Sequence, residues 1–577
     1  MICSINPVET ELIRNALMSA FMDMRLSLTR SAFSPVIYES LDCSVGLFNE
    51  TGEILAQAPG LPCFLGSLQG TLRLVIEKVG ANNFREGDVY IVNDTYITGS
   101  HLNDVVVLSP VIQTDQLIGF AVTKAHWLDI GSATPGWPVI GTTEIYQEGI
   151  RFGPTKIVSG GELVRDIIDI LARNSRFPDA LIGDMNAQIA ACRMGERRYL
   201  EVVERFGLTT VVGSMNEVFD TTELLEREDI MRIPDGIYVA EGFVDNDGLD
   251  TKPFLVRVTV TVEGSDITVD TTGSAKQRRG CTNSGLVQSM SYCQLAYKFL
   301  IRPDLGVTGG SFRPMKICIE RGSIFDPLEP TSCLQYGTHT GLLVDLIIKA
   351  LSDVIPHKVV AGLPRDPWNV YMTGWDPHRK HEFVSGEALA GGWGASSFGD
   401  GENAVIHLDA GDFKNRPTET AENRYPILIL SYGLGTDSGG AGEFCGGLKV
   451  VKEYRILGSD CHLSLWFDMT VTPSWGLFGG KSGDAPKVAI IYDNSEEKQI
   501  LKISRLPLPI DAVVRAETGG GGGYGPPKKR TPDQVREDVI DGYISKQKAL
   551  QDYGVAFIKS ATIVDIETTD AIRAEMN

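Results

Sequence analysis

Basic residues are in short supply: 53 Lys and Arg stand against 74 Asp and Glu, a formal net charge of -21 over 577 residues. Nucleic acid and anionic membrane surfaces both recruit basic patches, so neither is an expected partner. No uninterrupted apolar run is long enough to span a bilayer, and Met1-Ile2-Cys3-Ser4 leads straight into an amphipathic pattern with no secretory leader. The ten cysteines are scattered, without a Cys-x-x-Cys, which fits free thiols in a reducing cytoplasm. No segment recurs with a period of about 20 to 50 residues, which excludes a solenoid. A phosphate loop is missing as well. The run Gly519–Gly523 lacks the Lys-Ser/Thr ending of a P-loop and follows no clear strand. It reads as a flexible linker, with a backbone nest for an anion as the alternative. No Gly-x-Ser-x-Gly elbow between strand and helix marks a serine nucleophile, and Cys43, Cys63 and Cys445 read as buried inert thiols.

What is present predicts a multi-domain α+β protein, with antiparallel β-hairpins, a meander and packed helices. The length allows roughly two to four domains. Asn6-Pro7-Val8-Glu9 starts a helix with a cap, a proline at the first position and an acidic first turn. Leu12, Ala16, Leu17, Ala20, Phe21, Met24 and Leu28 give it one apolar stripe, and Ser34-Pro35 ends it. A hairpin is expected over Asp42–Phe48 and Glu53–Gln57. Further helices are expected over Leu72–Val79, Leu163–Ala172, Ala180–Arg205, Ser284–Ile301 and Thr338–Val354. Between Ile233 and Thr271 the period changes to two, the pattern of an antiparallel meander. Glycine-rich loops and short strands follow from Gly386 to Gly447, and Thr531-Pro532-x-Gln534 caps a late helix. Three domains are expected: 1–230, 231–515 and a Gly-rich C-terminal piece, 516–577.

His101-Leu102-Asn103-Asp104, with His126 at the end of the next apolar run, is the stretch that carries chemistry. Two imidazoles and a carboxylate can hold a divalent metal and leave coordination positions open. The alternative is a turn-capping Asp104 beside two ordinary hydrogen-bonded histidines, although only eight histidines occur in the chain. Asp88–Asn93, Val105–Ile112 and Leu117–Ala125 read as strands, and Gln113–Gln116 as a turn. An antiparallel hairpin would bring Asp104 and His126 to one open end. A symmetric turn would place Asp104 opposite Ala125 and aim His126 to the other face; a one-residue bulge or an odd-length turn would correct that. Asp42, at the mouth of the first hairpin, reads by itself as a turn carboxylate.

Several stretches together resemble the hydantoinase B family. They include Ser34–Ser44, Gly87–Asp94, His101–Asp104, Ala125–Gly131, Thr143–Gly149 and Gly183–Gln188. The resemblance continues through Asp437–Gly442, Trp475–Gly480, Gly520–Gly525 and Asp552–Val555. That family contains beta subunits of ATP-dependent N-methylhydantoinases and of caprolactamase, the C-terminal part of 5-oxoprolinase, and subunits of acetone and acetophenone carboxylases. The resemblance implies a metal held by His101, Asp104 and His126, with Asp42 as a fourth ligand, which reverses the plain reading of Asp42. It also implies that ATP is bound by a separate hydantoinase A-type subunit, in a heterotetramer or larger assembly. The chain departs from the family at Cys445, where relatives usually carry Arg, at Ser311, and at Pro526-Pro527-Lys528-Lys529.

The expected function is therefore the metal-containing beta subunit of an ATP-dependent cyclic amide hydrolase in the cytoplasm, with Zn, Mn or Fe as the metal. The partner phosphorylates a hydantoin, lactam or oxoproline-type substrate and this chain completes its hydrolysis. Glu39 and Glu144 are candidate general bases, and Asp129 a candidate for orienting an imidazole. A ketone carboxylase subunit is the second reading; a non-haem iron oxygenase and a purely structural subunit come after it. Contact with the partner is expected in the Gly386–Gly447 region or the tail after Gly519.

Overall fold

The computed structural model describes residues 6–56, 59–135, 140–411, 413–493, 495–559 and 562–576; Met1–Ser4 and Gln57 lie outside them. The chain divides into two units. One comprises residues 1–239, 257–336 and 409–415, the other residues 240–256, 337–408 and 416–577. Each is built from discontinuous segments, because strands and helices distant in sequence return to the same layers. Three consecutive domains, 1–230, 231–515 and 516–577, were expected; the segments of the two units interleave along the sequence.

A seven-stranded sheet organises the first unit, in the order β2-β1-β5-β4-β3-β6-β7. Its strands are β1 (Cys43–Asn49), β2 (Ile54–Ala56), β3 (Val89–Val92), β4 (Asp104–Gln113), β5 (Gln116–His126), β6 (Thr155–Ser159) and β7 (Glu162–Leu163). All neighbours pair antiparallel. Both faces are covered, so β4 is apolar nearly throughout and does not alternate. Val105, Val107 and Val111 pack with helices Pro7–Ser31 and Pro178–Phe206. Val106 and Leu108 pack with Leu68, Leu72 and Val75 of helix Pro62–Val79 on the opposite face.

The first helix begins as expected: the Asn6 side chain accepts from the Val8 N–H at 3.0 Å, with Pro7 at the first position. Its buried stripe runs Ile13, Leu17, Ala20, Phe21, Met24 and Leu28. Ile13 aligns with the later positions at three- and four-residue spacing, so Leu12, one step around the helix, is exposed. The helix stops at Ser31, and Pro35 opens a separate turn, Pro35–Tyr38. Leu208–Ile230 is a helix that the sequence reading lacked. Its buried side includes Ser214, Thr222, Glu226 and Asp229, which blur the apolar stripe. The meander is present as β8 (Gly236–Val244), β9 (Phe254–Glu263) and β10 (Asp266–Asp270), with β9 and β10 antiparallel; β11 (Met315–Cys318) then adds to β10 in parallel.

Gly519–Gly523 is neither linker nor anion nest. All five residues are buried inside the second unit, and their backbone groups are already used. The N–H groups of Gly520, Gly521, Gly522 and Gly523 donate to the carbonyls of Asp484, Gly447, Gly362 and Lys481 at 2.9 to 3.1 Å. A Cβ on Gly521 would overlap the Trp393 carbonyl, and one on Gly520 the Ser438 carbonyl. Only glycine lets backbones approach so closely. This part of the tail is therefore internal, not an exposed loop waiting for a partner.

Replacing Gly521 by Ala should cost more than about 3 kcal/mol, because a rigid backbone carbonyl must move. Gly433→Ala, where the added carbon meets open space, should change stability by less than about 0.5 kcal/mol. Denaturant unfolding of the two variants beside the parent protein checks the contrast.

Candidate metal centre

The Thr114-Asp115 turn, with φ of 50° and 61°, closes the β4–β5 hairpin in the left-handed region that suits a tight two-residue connection. Gln113 faces Gln116 and Ile112 faces Leu117; the register then shifts, so Val111 faces Gly119 and Asp104 faces His126. The extra residue, Ile118, is the bulge that the symmetric hairpin needed. Directly opposed residues project to the same face, and the two side chains meet. Cys43 of β1 faces Ala125 on the other side of β5, and the His126 N–H donates to the Asp42 carbonyl at 3.1 Å. Three neighbouring strands thus deliver Asp42, His126 and Asp104 to one end of the sheet. His101 enters from the loop before β4, where the Asp104 N–H donates to its carbonyl at 3.1 Å.

The contacts are close. His101 Nε2 lies 2.9 Å from Asp104 Oδ1 and 3.1 Å from His126 Nδ1, and His126 Nδ1 lies 3.0 Å from the same oxygen. All three residues are buried, and their candidate ligand atoms lie within 4.8 Å of one another. At bond lengths of about 2.0 to 2.2 Å, tetrahedral ligand atoms stand roughly 3.4 Å apart, so an opening of a few tenths of an ångström suits a divalent ion. His101 Nδ1 is 3.1 Å from the Leu334 carbonyl, an acceptor only, so this nitrogen keeps a proton, and Nε2, which can give up its own proton to a metal, is the atom that would ligate. The Tyr336 hydroxyl donates to Asp104 Oδ2 at 3.1 Å.

Burial works to raise the Asp104 carboxyl, but the charge of His101 and hydrogen bonds from both histidines outweigh it and hold the group well below the usual carboxylate range. Asp42 goes the other way, to about 7. Burial is the main cause, opposed by His126 and Lys124 and reinforced by the negative charge of Asp104. Lys124, two residues before His126 on the same face, is wholly buried. Its Nζ donates to Ser67 Oγ at 3.0 Å and Gln288 Oε1 at 3.4 Å and lies over the Phe64 ring. Burial lowers its basicity, while Asp104, Cys63 and Asp42 oppose the shift.

The other sequence candidates are not brought into this group. Asp42 stands beside it without joining the three clustered ligand atoms. Glu39 is half-buried at the end of the Pro35–Tyr38 turn. Glu144 is exposed at the start of a short helical turn, where its N–H donates to Gln147 Oε1 at 3.1 Å. Asp129 accepts from the Arg176 N–H at 2.6 Å and Nη1 at 2.8 Å; it fixes a turn, and Leu334 takes the imidazole role proposed for it. Sequence reasoning missed Lys124, Tyr336 and Glu148. A lone lysine inside the apolar run Leu117–Ala125 is a signal for the first. Tyr336 meets Asp104 across 232 residues, with no local pattern to betray it. The described cysteines are free thiols, and no described helix is long and apolar enough to cross a membrane.

The family model for Hydantoinase B/oxoprolinase matches residues 6–527. The chain belongs to this family. It is 33% identical to the putative D-/L-hydantoinase B-type subunit of Pseudomonas sp. (strain NS671), over 99% of this chain and 98% of that one. The crystal structure of ATP-dependent caprolactamase from Pseudomonas jessenii is 28% identical with a TM-score of 0.93, covering 99% of this chain and 100% of that chain. Nucleotide-free acetone carboxylase shares the fold at a TM-score of 0.91 and 20% identity, over 99% of this chain and 83% of that one. The α+β, multi-domain fold class and the family resemblance are both established by these likenesses.

Asp184 anchors the entry to the Ser34–Asp42 segment. Its Oδ1 accepts from the N–H groups of Phe33 and Ser34 at 2.7 and 2.9 Å, and burial raises the carboxyl to about 6. An unfolded aspartate titrates near 3.9, so between about pH 4 and 6 the folded chain binds more protons, and stability falls as pH rises through that window. The difference is worth up to about 3 kcal/mol. Asp184→Asn carries no titratable group and should flatten this part of the pH–stability curve. Chemical denaturation of both proteins at several pH values across the window checks it; identical slopes would overturn the assignment.

Proposed function

We propose that this chain is the metal-containing catalytic subunit of an ATP-dependent cyclic amide hydrolase, acting on a hydantoin-, lactam- or oxoproline-type substrate that a separate ATP-binding subunit has phosphorylated. The observation that carries the reading is the buried convergence of His101, Asp104 and His126, in a family whose similar members include a putative D-/L-hydantoinase and an ATP-dependent caprolactamase. The ketone carboxylase reading has only a shared fold behind it.

His101 through Nε2, Asp104 through Oδ1 and His126 through Nδ1 would hold the ion, with Asp42 completing the set. A divalent ion bound there supplies Lewis acidity and water made acidic enough to act as a nucleophile near neutral pH. The chain's own residues do the rest. The Leu334 carbonyl keeps the His101 proton on Nδ1, and the Tyr336 hydroxyl holds Asp104 Oδ2 so that Oδ1 faces the imidazoles. Lys124 places a cation among Asp42, Asp104 and Cys63, which offsets clustered negative charge. Glu39 is the carboxylate proposed to take the proton from the attacking water, with Glu144 set aside because it is exposed. Phosphorylation by the partner makes the amide carbon electrophilic. Addition of one water there and cleavage of the ring C–N bond, with a proton passing to the nitrogen, leaves an acyl phosphate; a second water then displaces phosphate and gives the free carboxylate.

His101→Ala or His126→Ala should weaken divalent-metal binding at least about tenfold; full metal occupancy of both variants by elemental analysis would sink the reading. Asp42→Asn should weaken it by a similar factor if Asp42 is a ligand, and wild-type affinity in that variant would return Asp42 to a turn role.

Turnover should need two chains. Expressed alone, this protein should not hydrolyse ATP or a lactam; with the ATP-binding subunit it should do both, without bicarbonate. ATP-dependent turnover by the isolated chain would overturn the two-subunit account. Bicarbonate-dependent turnover of a ketone would move the assignment to the carboxylases.

A further inference from the structure

Glu148 is fully buried, and the chemistry above gives it no task. It lies at the end of the short helical turn Ile145–Gln147, four residues from the exposed Glu144. Its Oε1 accepts from the Ser332 hydroxyl at 2.5 Å and the Cys333 N–H at 2.8 Å, and the Leu334 N–H also bonds the carboxylate. Oε2 is buried without a hydrogen-bond partner among the described residues. Burial of this kind pushes the carboxyl up to about 7, against the pull of those three bonds. A buried acid with no counter-charge is costly to keep, so what it holds in place is the question.

We propose that Glu148 is a positioning residue for the metal centre: it seats the segment Ser332–Tyr336, whose Leu334 carbonyl fixes the His101 tautomer and whose Tyr336 hydroxyl orients Asp104. The segment is pinned from several sides. The Ser332 carbonyl accepts from Asn283 Nδ2 at 2.8 Å, the Ser332 hydroxyl pairs with Thr142 Oγ1 at 2.8 Å, and the Gln335 N–H donates to the Cys281 carbonyl at 2.9 Å. Glu148 is the anchor that takes successive backbone amides, which sets the direction of the Leu334 carbonyl. That carbonyl meets His101 Nδ1 at 3.1 Å, so the other ring nitrogen, Nε2, faces Asp104 Oδ1 at 2.9 Å. Two residues on, the Tyr336 hydroxyl reaches Asp104 Oδ2 at 3.1 Å, and its ring lies 4.9 Å from that of His101. One short segment therefore holds two of the three clustered ligands, and partners that orient metal ligands affect affinity nearly as strongly as the ligands themselves.

The inference rests on the metal reading and is tested separately from it. The measurements are Zn2+ affinity of the full chain by competition with a chromophoric chelator, the visible absorption of its Co2+ form, and the melting temperature of the metal-free chain. Glu148→Ala removes the acceptor and should weaken Zn2+ binding about tenfold or more, with an altered Co2+ spectrum. Glu148→Gln keeps an acceptor oxygen and should recover most of the loss. Tyr336→Phe, which removes the second hold, should weaken binding by about tenfold; this variant and the Gln variant decide the matter should the Ala variant not fold. A Glu148 that merely stabilises the fold would lower the melting temperature of the metal-free chain and leave the affinity and spectrum unchanged. That result, with His101→Ala losing the ion, would overturn the positioning role while the metal reading stands. A parent protein that binds neither Zn2+ nor Co2+ would overturn both.

Discussion

The residue that β5 inserts opposite the step between Val111 and Ile112 decides which face every side chain beyond it takes. Before the bulge Leu117 packs with the helix Pro62–Val79 layer, and Ile118 packs with the layer of Pro7–Ser31. After it, Phe120 and Val122 return to the Pro62–Val79 side, and Lys124 and His126 follow on that face. Strand side chains alternate strictly, so a single added residue inverts the pattern. Without it, His126 would point into the layer of valines and alanines under the first helix, away from Asp104. The ligand set exists because the hairpin is irregular at its far end.

Once the register is fixed, charge shapes the remainder. Asp42 and Asp104 are brought together away from water, and burial of carboxylates is tolerated only where cations or donors answer them. His101, His126, Lys124 and the Tyr336 hydroxyl are those answers, and they arrive from a loop, a strand and a distant segment. The two acids respond in opposite directions. Asp104 is hydrogen-bonded by both imidazoles and stays ionised, whereas Asp42, desolvated by burial and facing a like charge, holds its proton towards neutrality. Such divergence between neighbouring carboxyls is characteristic of sites with chemistry to perform. A divalent ion among them would replace protons as the counter-charge.

In the second unit packing relies on the absence of side chains. Gly519–Gly523 threads between segments around Gly362, Gly392, Gly447 and Asp484, and its amides and carbonyls bond to several of them. A composition that suggests flexibility in isolation becomes a tightly packed interior here, because the neighbours are glycine-rich too and backbone meets backbone. The same residues would form a linker if nothing surrounded them.

The sequence by itself determined much of the local structure. Asn6-Pro7-Val8-Glu9 and Thr531-Pro532-x-Gln534 cap their helices as read, since capping needs only residues a few positions apart. The strands flanking Gln113–Gln116 and the identity of His101, Asp104 and His126 as a candidate group were likewise legible, because a tight turn brings sequence neighbours together. Tertiary structure alone decided the register, the burial of Lys124 and Glu148, the exposure of Glu144 and the use of Asp129 to hold Arg176. It also placed Leu334 and Tyr336 against the ligands. The physical reason is range: caps and turns are settled by contacts along the chain, whereas bulge position, desolvation and the far partner of a buried polar group depend on which distant segments fold against it.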